Sequence, residues 1–293
     1  MVTINSEEVL SPPVAAATVM VLREGPRGLE VLLVRRHGGS GVLGGVHVFP
    51  GGKLDAADSQ LPGGAVTDRS AAACLQALGE TGLDPQTAVA LHVAALRETF
   101  EECGLLLGAP VGAQLVARRV RAQILGGAGF AQALSQLDLP LALSSLLPWS
   151  RWVTPRVPSV TNKRFDTRFF VALAPDEQEA EHCAFEATEA VWLSPRVGLE
   201  RYWAGEIDLV PPQIMSLAQL VRLGTVQQVL DWARSRPPAL IAPEPFDENG
   251  ERVICYPGDP AHSVREAVWA GPTRLVYRQQ RFEAEGGLAA LLG

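Results

Sequence analysis

The chain of 293 residues is short of several things that would narrow its role at once. It has no uninterrupted apolar stretch long enough for a membrane span. The run from Val14 to Leu22 is too short and ends at Arg23. The first residues offer Glu7 and Glu8 where a secretory leader needs basic charge, and no C-terminal peroxisomal tripeptide is present, so a cytoplasmic location is expected. Only four cysteines occur, Cys74, Cys103, Cys183 and Cys255. They are scattered without metal-ligand spacing and read as reduced, buried thiols. The five histidines show no ligand spacing either. An excess of positive charge is missing: the formal net charge of −7 argues against nucleic acid as the partner. No internal repeat or low-complexity tract is visible.

What is present is apolar content of 47% with 19% charged residues, enough for a substantial core. The segments 14–22 and 29–35 flank Gly25-Pro26-Arg27-Gly28 and predict a hairpin. Gly38-Gly39-Ser40-Gly41 and Gly44-Gly45 precede a short strand at 46–49. These glycines form either a plain linker or backbone brought near a phosphate beside Arg35 and Arg36. Helices are expected from Ser70 to Leu78, over 86–103, 113–125 and 130–137, and at 195–203, 211–222 and 225–235. Strands are expected at 149–154, 165–171 and 188–193, with short ones around Val253, Val268 and Val276. The order predicts an α+β protein, an α/β/α sandwich on a mixed sheet. It divides into a main domain, 1–238, and a β-rich extension, 239–293.

The densest chemistry lies in Arg97-Glu98-Thr99-Phe100-Glu101-Glu102-Cys103-Gly104. Glu98, Glu101 and Glu102 stand at i, i+3 and i+4 and share a helix face. Val89, Val93, Leu96, Phe100 and Cys103 form an apolar stripe on roughly the other side, and Gly104 stands where a helix ends. Arg97 reaches Glu101 at i+4, leaving two acids to be neutralised by something else. Carboxylate oxygens suit hard divalent cations, Mg²⁺ or Mn²⁺.

With the upstream Phe49-Pro50-Gly51-Gly52-Lys53-Leu54-Asp55, this stretch resembles the Nudix box, G-x5-E-x7-R-E-U-x-E-E-x-G-U with U apolar. Gly52, Arg97, Glu98, Glu101, Glu102, Gly104 and Leu105 fit it. Asp58 stands where the pattern has its first glutamate, and Thr99 where it has an apolar residue. Residues 59–96, 38 in all, separate Asp58 from Arg97 where the pattern has seven, and the insertion is placed at about 59–85.

The resemblance implies a Nudix-type sandwich and metal-dependent hydrolysis of a nucleoside diphosphate linked to another moiety. It implies metal ligands at Glu101, Glu102 and the carbonyl of Gly51 or Gly52, with Glu98 beside them. Arg97 would orient the acids. The base would be Glu98 or a remote carboxylate, with Glu186 and Glu189 as candidates. Arg36, Gly51 and Arg164 are candidate contacts for the substrate's phosphates, as is Arg168, although strand arginines are commonly ion-paired. Trp152 or Trp203 could floor an adenine.

The interrupted box, with Trp152-Val153-Thr154-Pro155 and Arg164 to Phe170, is similar to the coenzyme A diphosphatase branch. That implies cleavage of CoA or acyl-CoA to 3′,5′-ADP and phosphopantetheine. ADP-ribose or NADH as substrate, and a nucleotide-binding module without turnover, remain open alternatives. The expected partner is a small nucleotide, with no membrane or nucleic acid. The tail after Pro238 is a candidate homodimer contact.

Overall fold

The computed structural model describes residues 4–37, 44–109, 114–181 and 187–293. Glu186, Cys183 and Gly38 to Gly41 lie outside the described residues. In chain order the strands and helices are β1 (Val14–Gly25), β2 (Gly28–Arg36), β3 (His47–Val48), β4 (Gly51–Lys53), α1 (Ala56–Ser59), α2 (Ala71–Leu78), α3 (Pro85–Cys103), α4 (Gln114–Leu125) and α5 (Phe130–Ser135). They continue with β5 (Leu147–Val153), β6 (Phe165–Leu173), β7 (Ala187–Leu193), α6 (Pro195–Trp203), α7 (Pro211–Leu223) and α8 (Val226–Arg234). The last elements are β8 (Ala239–Ile241), β9 (Glu244–Glu248), β10 (Glu251–Cys255), β11 (Arg274–Arg278), β12 (Arg281–Ala284) and α9 (Gly287–Leu292).

The fold is an α+β sandwich on a mixed sheet with a β-rich C-terminal part. The main sheet runs β3-β2-β1-β6-β5-β8, with β4 also on β1 and β7 also on β2. Strand β1 is its axis. Its residues from Ala17 to Leu22 are almost all buried, as a near-continuous apolar run in a strand covered on both faces should be. The β1–β2 hairpin turns where the sequence places it. Parallel pairing of β1 with β6 sets Ala16 beside Thr167 and Thr18 beside Phe169. A second sheet, β12-β11-β10-β9, is antiparallel.

Helix α3 is held at both ends by local chemistry. The Asp84 side chain accepts from the Thr87 N–H at 2.9 Å, Pro85 opens the first turn, and Gly104 closes it at φ 70°. The five-residue stripe understates its burial. Ala88, Ala90, Leu91, His92, Ala94, Ala95 and Thr99 are buried as well. The reason is that α2, within the insertion, packs against a face that periodicity leaves to solvent.

The insertion is also fastened to the sheet. Glu80 receives Arg168 at 2.8 and 2.6 Å and Arg151 at 3.0 Å, with Asp166 completing the group. Arg151 and Arg168 face each other across β5 and β6, so these two acids neutralise a like-charged pair. Arg168, 5% exposed, is thus held in a structural ion pair, as is common for strand arginines.

The tail differs from its expected pattern. Val268 lies in a bend, not a strand, and Trp269 beside it packs on Trp149 and Trp152. Strand β8 pairs in parallel with β5 in the main sheet, and α9 packs on α6 and α7. The Tyr202 hydroxyl donates to the Phe282 carbonyl and accepts from its N–H, at 2.9 and 2.8 Å. Arg222 caps α9 through the carbonyls of Ala290 and Leu291.

His92 is fully buried, with Nδ1 2.8 Å from the Ala88 carbonyl. Burial lowers its pKa to about 4, the Ala88 bond only partly opposing this. The folded chain keeps His92 neutral down to that pH, while the unfolded chain protonates it near its ordinary 6.5. Stability is therefore expected to fall as pH drops from 6.5 toward 4, by on the order of 3 kcal/mol from this group. Denaturant midpoints across that window check it, since a His92→Gln variant should lose most of the slope.

Candidate active site

The site begins with a turn that only glycine can make. The Thr18 hydroxyl donates to the Pro50 carbonyl at 2.7 Å, and the Val19 N–H reaches the same oxygen at 2.8 Å. This pins Phe49-Pro50 to β1 and sets Gly51 beside Thr18 and Gly52 beside Ala17. A Cβ on Gly51 would lie 2.4 Å from the Ala17 carbonyl oxygen. One on Gly52 would lie 2.4 Å from the Glu98 carboxylate. Both glycines are thus dictated by close approach, the first of backbone and the second of an acid.

Arg97 then joins the two halves of the interrupted motif. Its Nε and Nη2 donate to Asp58 at 2.7 and 2.9 Å, a two-pronged pair across 39 positions. Nη1 donates to Glu98 at 2.8 Å and Glu101 at 3.0 Å, and Nη2 also to the Lys53 carbonyl at 3.1 Å. Arg97 meets Glu101, as the i+4 spacing allows, and Asp58 and Glu98 as well: one guanidinium fans over three acids because its five donors permit it. Burial works against its charge, but Asp58, Glu98 and Glu101 outweigh that and hold its pKa above the usual arginine range. Asp58 is 1% exposed and accepts from the Asp55 N–H at 2.8 Å, closing a capping box on α1. The shortened acid thus still reaches its partner, and the insertion leaves the register of the first half intact.

Glu102, 3% exposed, is aimed by the Gly51 N–H at 2.9 Å. Cys103 beside it is buried among apolar side chains, and burial pushes its thiol pKa up, away from nucleophile chemistry.

These groups open into a cleft of about 790 Å³. Gly51, Gly52, Arg97, Glu98, Glu102, Lys53 and Arg36 line it. So does Trp152, one of the two candidate adenine floors, and so do Thr18, Lys163, Phe169 and Gln213, which motif reading did not single out for a role. Glu101 stands on the same turn, 37% exposed and held by Arg97, but is not part of the lining.

Arg164 is not brought into this set. Its guanidinium donates to the carbonyls of Thr154 and Ser11, while its neighbour Lys163 lines the cleft. Glu189 sits on β7 opposite Arg35, half exposed and 3.9 Å from His47 Nε2, apart from Glu98 and the cleft lining. Burial lowers the His47 pKa, with the Glu189 charge opposing it. Trp203 lies under Arg281 and not in the cleft.

The donor set fits a hard divalent cation. The acids at the Gly51-Gly52 turn present oxygen only, next to backbone carbonyls. Among the described residues no three His, Cys, Asp or Glu side chains form a ready-made cage. A hard cation such as Mg²⁺ takes few carboxylates and completes its shell with waters and substrate phosphate oxygens. Among the described residues, no helix is long and apolar enough to cross a membrane.

The chain is similar to known proteins over most of its length. Residues 71–220, just over half of the chain, match the NUDT19 Nudix domain family. The acyl-coenzyme A diphosphatase NUDT19 of Gallus gallus is 28% identical over 302 residues, covering 86% of this chain and 79% of its own. The acyl-coenzyme A diphosphatase NUDT19 of Homo sapiens is 28% identical over 248 residues, covering 71% and 65%. The crystal structure of a NUDIX hydrolase from Alicyclobacillus acidocaldarius superposes with a TM-score of 0.60 at 31% identity. That match covers 78% of this chain and 99% of the other.

Proposed function

This chain belongs to the Nudix hydrolases, in the NUDT19 Nudix domain family, and from that premise we propose that its substrate is CoA or acyl-CoA, cut to 3′,5′-ADP and phosphopantetheine or its acyl form. The reaction class, hydrolysis of a diphosphate linkage, follows from the family. The observation that carries the site is the Asp58–Arg97 pair, which closes the interrupted motif onto one cleft. The substrate reading is supported by relatives named acyl-coenzyme A diphosphatases that match most of this chain.

Glu98, Glu101, Glu102 and a carbonyl of Gly51 or Gly52 would hold Mg²⁺ or Mn²⁺. When bound, the cation draws electron density from phosphorus and screens the diphosphate oxygens. The chain's own residues do the rest. Arg97 fixes Glu98 and Glu101 in one orientation, and the Gly51 N–H fixes Glu102. Lys53, Arg36 and Lys163 draw the anionic substrate into a cleft that these acids would otherwise make repulsive. Glu98, packed over Gly52 at the cleft floor, takes the proton of the attacking water. Its place in the lining favours it over Glu189. The three described cysteines, Cys74, Cys103 and Cys255, are free and buried, which supports a reducing setting.

The test is hydrolysis of a panel containing CoA, acetyl-CoA, ADP-ribose and NADH, with product masses. Release of 3′,5′-ADP from CoA with Mg²⁺ or Mn²⁺, abolished by EDTA, is the expected result. Cleavage of ADP-ribose with CoA left intact would overturn the substrate assignment. Thermal stabilisation by CoA without any product would point instead to a binding module.

A further inference from the structure

The cleft is longer than a diphosphate requires. It follows one row of facing residues across the sheet, Lys53, Ala16, Thr167 and Trp152, on β4, β1, β6 and β5. Three strand spacings make this about 14 Å. Away from the glycine turn its lining is largely apolar, with Trp152, Phe169, Pro155 and Val160, and with Pro243 and Ile254 from the C-terminal part, although Thr154, Ser159, Thr161, Lys163 and Thr167 line it too.

Gln213 is one of the polar side chains that interrupt that wall. Gln213, in the first turn of α7, lines the cleft and is 6% exposed, and its side-chain carbonyl oxygen has no hydrogen-bond partner. Buried polar groups are nearly always paired, so such an oxygen calls for an explanation. Just before α7 the Asp208 carbonyl accepts from the His47 N–H at 2.9 Å. Just after Gln213, Met215 lines a small void with Trp152, Ile241 and Tyr256. The start of the helix offers no anion cradle, because Pro211 and Pro212 lack N–H groups and the Gln213 N–H is taken by the Val210 carbonyl at 2.9 Å. What this end of α7 presents to the cleft is one side-chain amide beside Val210, Pro211 and Pro212.

We propose that Gln213 is a specificity-determining residue that hydrogen-bonds a carboxamide in the arm attached to the diphosphate. The inference rests on the CoA reading above and deepens it. A phosphopantetheine arm is a long chain of apolar segments joined by secondary amides. Each such amide carries one donor and one acceptor, so it satisfies Gln213 whichever way the glutamine amide faces. The arm then lies along the row toward Trp152, and the C-terminal part closes the far end of the cleft.

The test separates the two halves of the substrate. With CoA hydrolysis as the assay, phosphopantetheine and 3′,5′-ADP are each titrated as inhibitors of the wild type and of Gln213→Leu. The inhibition constant of phosphopantetheine should rise about tenfold, the usual consequence of losing one buried polar contact to a ligand. That of 3′,5′-ADP should stay within twofold. The melting temperature should hold or rise, since an unpartnered oxygen is removed. If Gln213→Leu melts lower, Gln213→Met serves as the second variant under the same criteria. Unchanged inhibition by phosphopantetheine, or equal weakening of both halves, overturns the assignment. A wild type that leaves CoA intact overturns the parent reading instead, and this one with it.

Discussion

Replacing Glu102 by glutamine should lower kcat by about 10²- to 10⁴-fold while the protein stays folded. The substitution conserves volume and keeps an oxygen able to accept from the Gly51 N–H, so the turn has no reason to move. What disappears is one negative charge, on a side chain that lines the cleft and is only 3% exposed. A carboxylate that serves merely as a helix-face charge would leave the rate nearly unchanged on this isosteric substitution. Steady-state rates with CoA and either cation, beside a thermal melt, decide the matter. A variant within threefold of the wild-type rate would remove Glu102 from the mechanism.

The second large effect is on stability. Asp58→Ala is expected to cost about 2–3 kcal/mol, since Arg97 keeps Glu98 and Glu101 but loses two charge-assisted hydrogen bonds to a buried carboxylate. Arg97 would be left 13% exposed with its strongest partner gone, and α1 would lose its capping contact with the Asp55 N–H. Asp58→Glu, which restores the residue type of the motif, should retain most of the stability and turnover. Arg97→Lys should not, because an ammonium cannot span Asp58, Glu98 and Glu101 together. Denaturant midpoints measure all three. A loss below about 1 kcal/mol in Asp58→Ala would mean that the pair is dispensable and that other contacts close the motif.

The helix of acids was legible because three signals coincide there: carboxylates on one turn, an apolar periodicity and a glycine at the end. The hairpin of β1 and β2 and the helices from 195 to 235 were legible for the same reason, a local pattern bounded by turn residues. The partner of Arg97 was not. Once 38 residues intervene, spacing says nothing about what meets what, and only the fold returns Asp58 to within 2.7 Å. Lys163 and Arg164 make the same point at short range. Which of two adjacent cations faces the cleft depends on the twist of one turn, and the Thr154 carbonyl claims Arg164. Gln213 carries no motif at all; burial beside an apolar wall is its only signal. In the tail, strands of three to five residues leave too little alternation to read. Val268 therefore resembled a strand, while β8, β9, β12 and α9 gave no sign.

The clasp between Asp58 and Arg97 makes the chain from 59 to 96 a closed ring hung from the catalytic frame, with α2 and Glu80 tying it down. A ring already shut is tolerant of its own circumference: doubling its length changes the closure entropy by only about 0.6 kcal/mol. The exposed Gly63-Gly64 stretch, with Gly64 at φ 89°, lies on the outside of that ring, and no residue from 59 to 85 lines the cleft. It is therefore a natural grafting point, where a reporter peptide or purification handle can be spliced into the middle of the motif and still leave the phosphoanhydride chemistry alone.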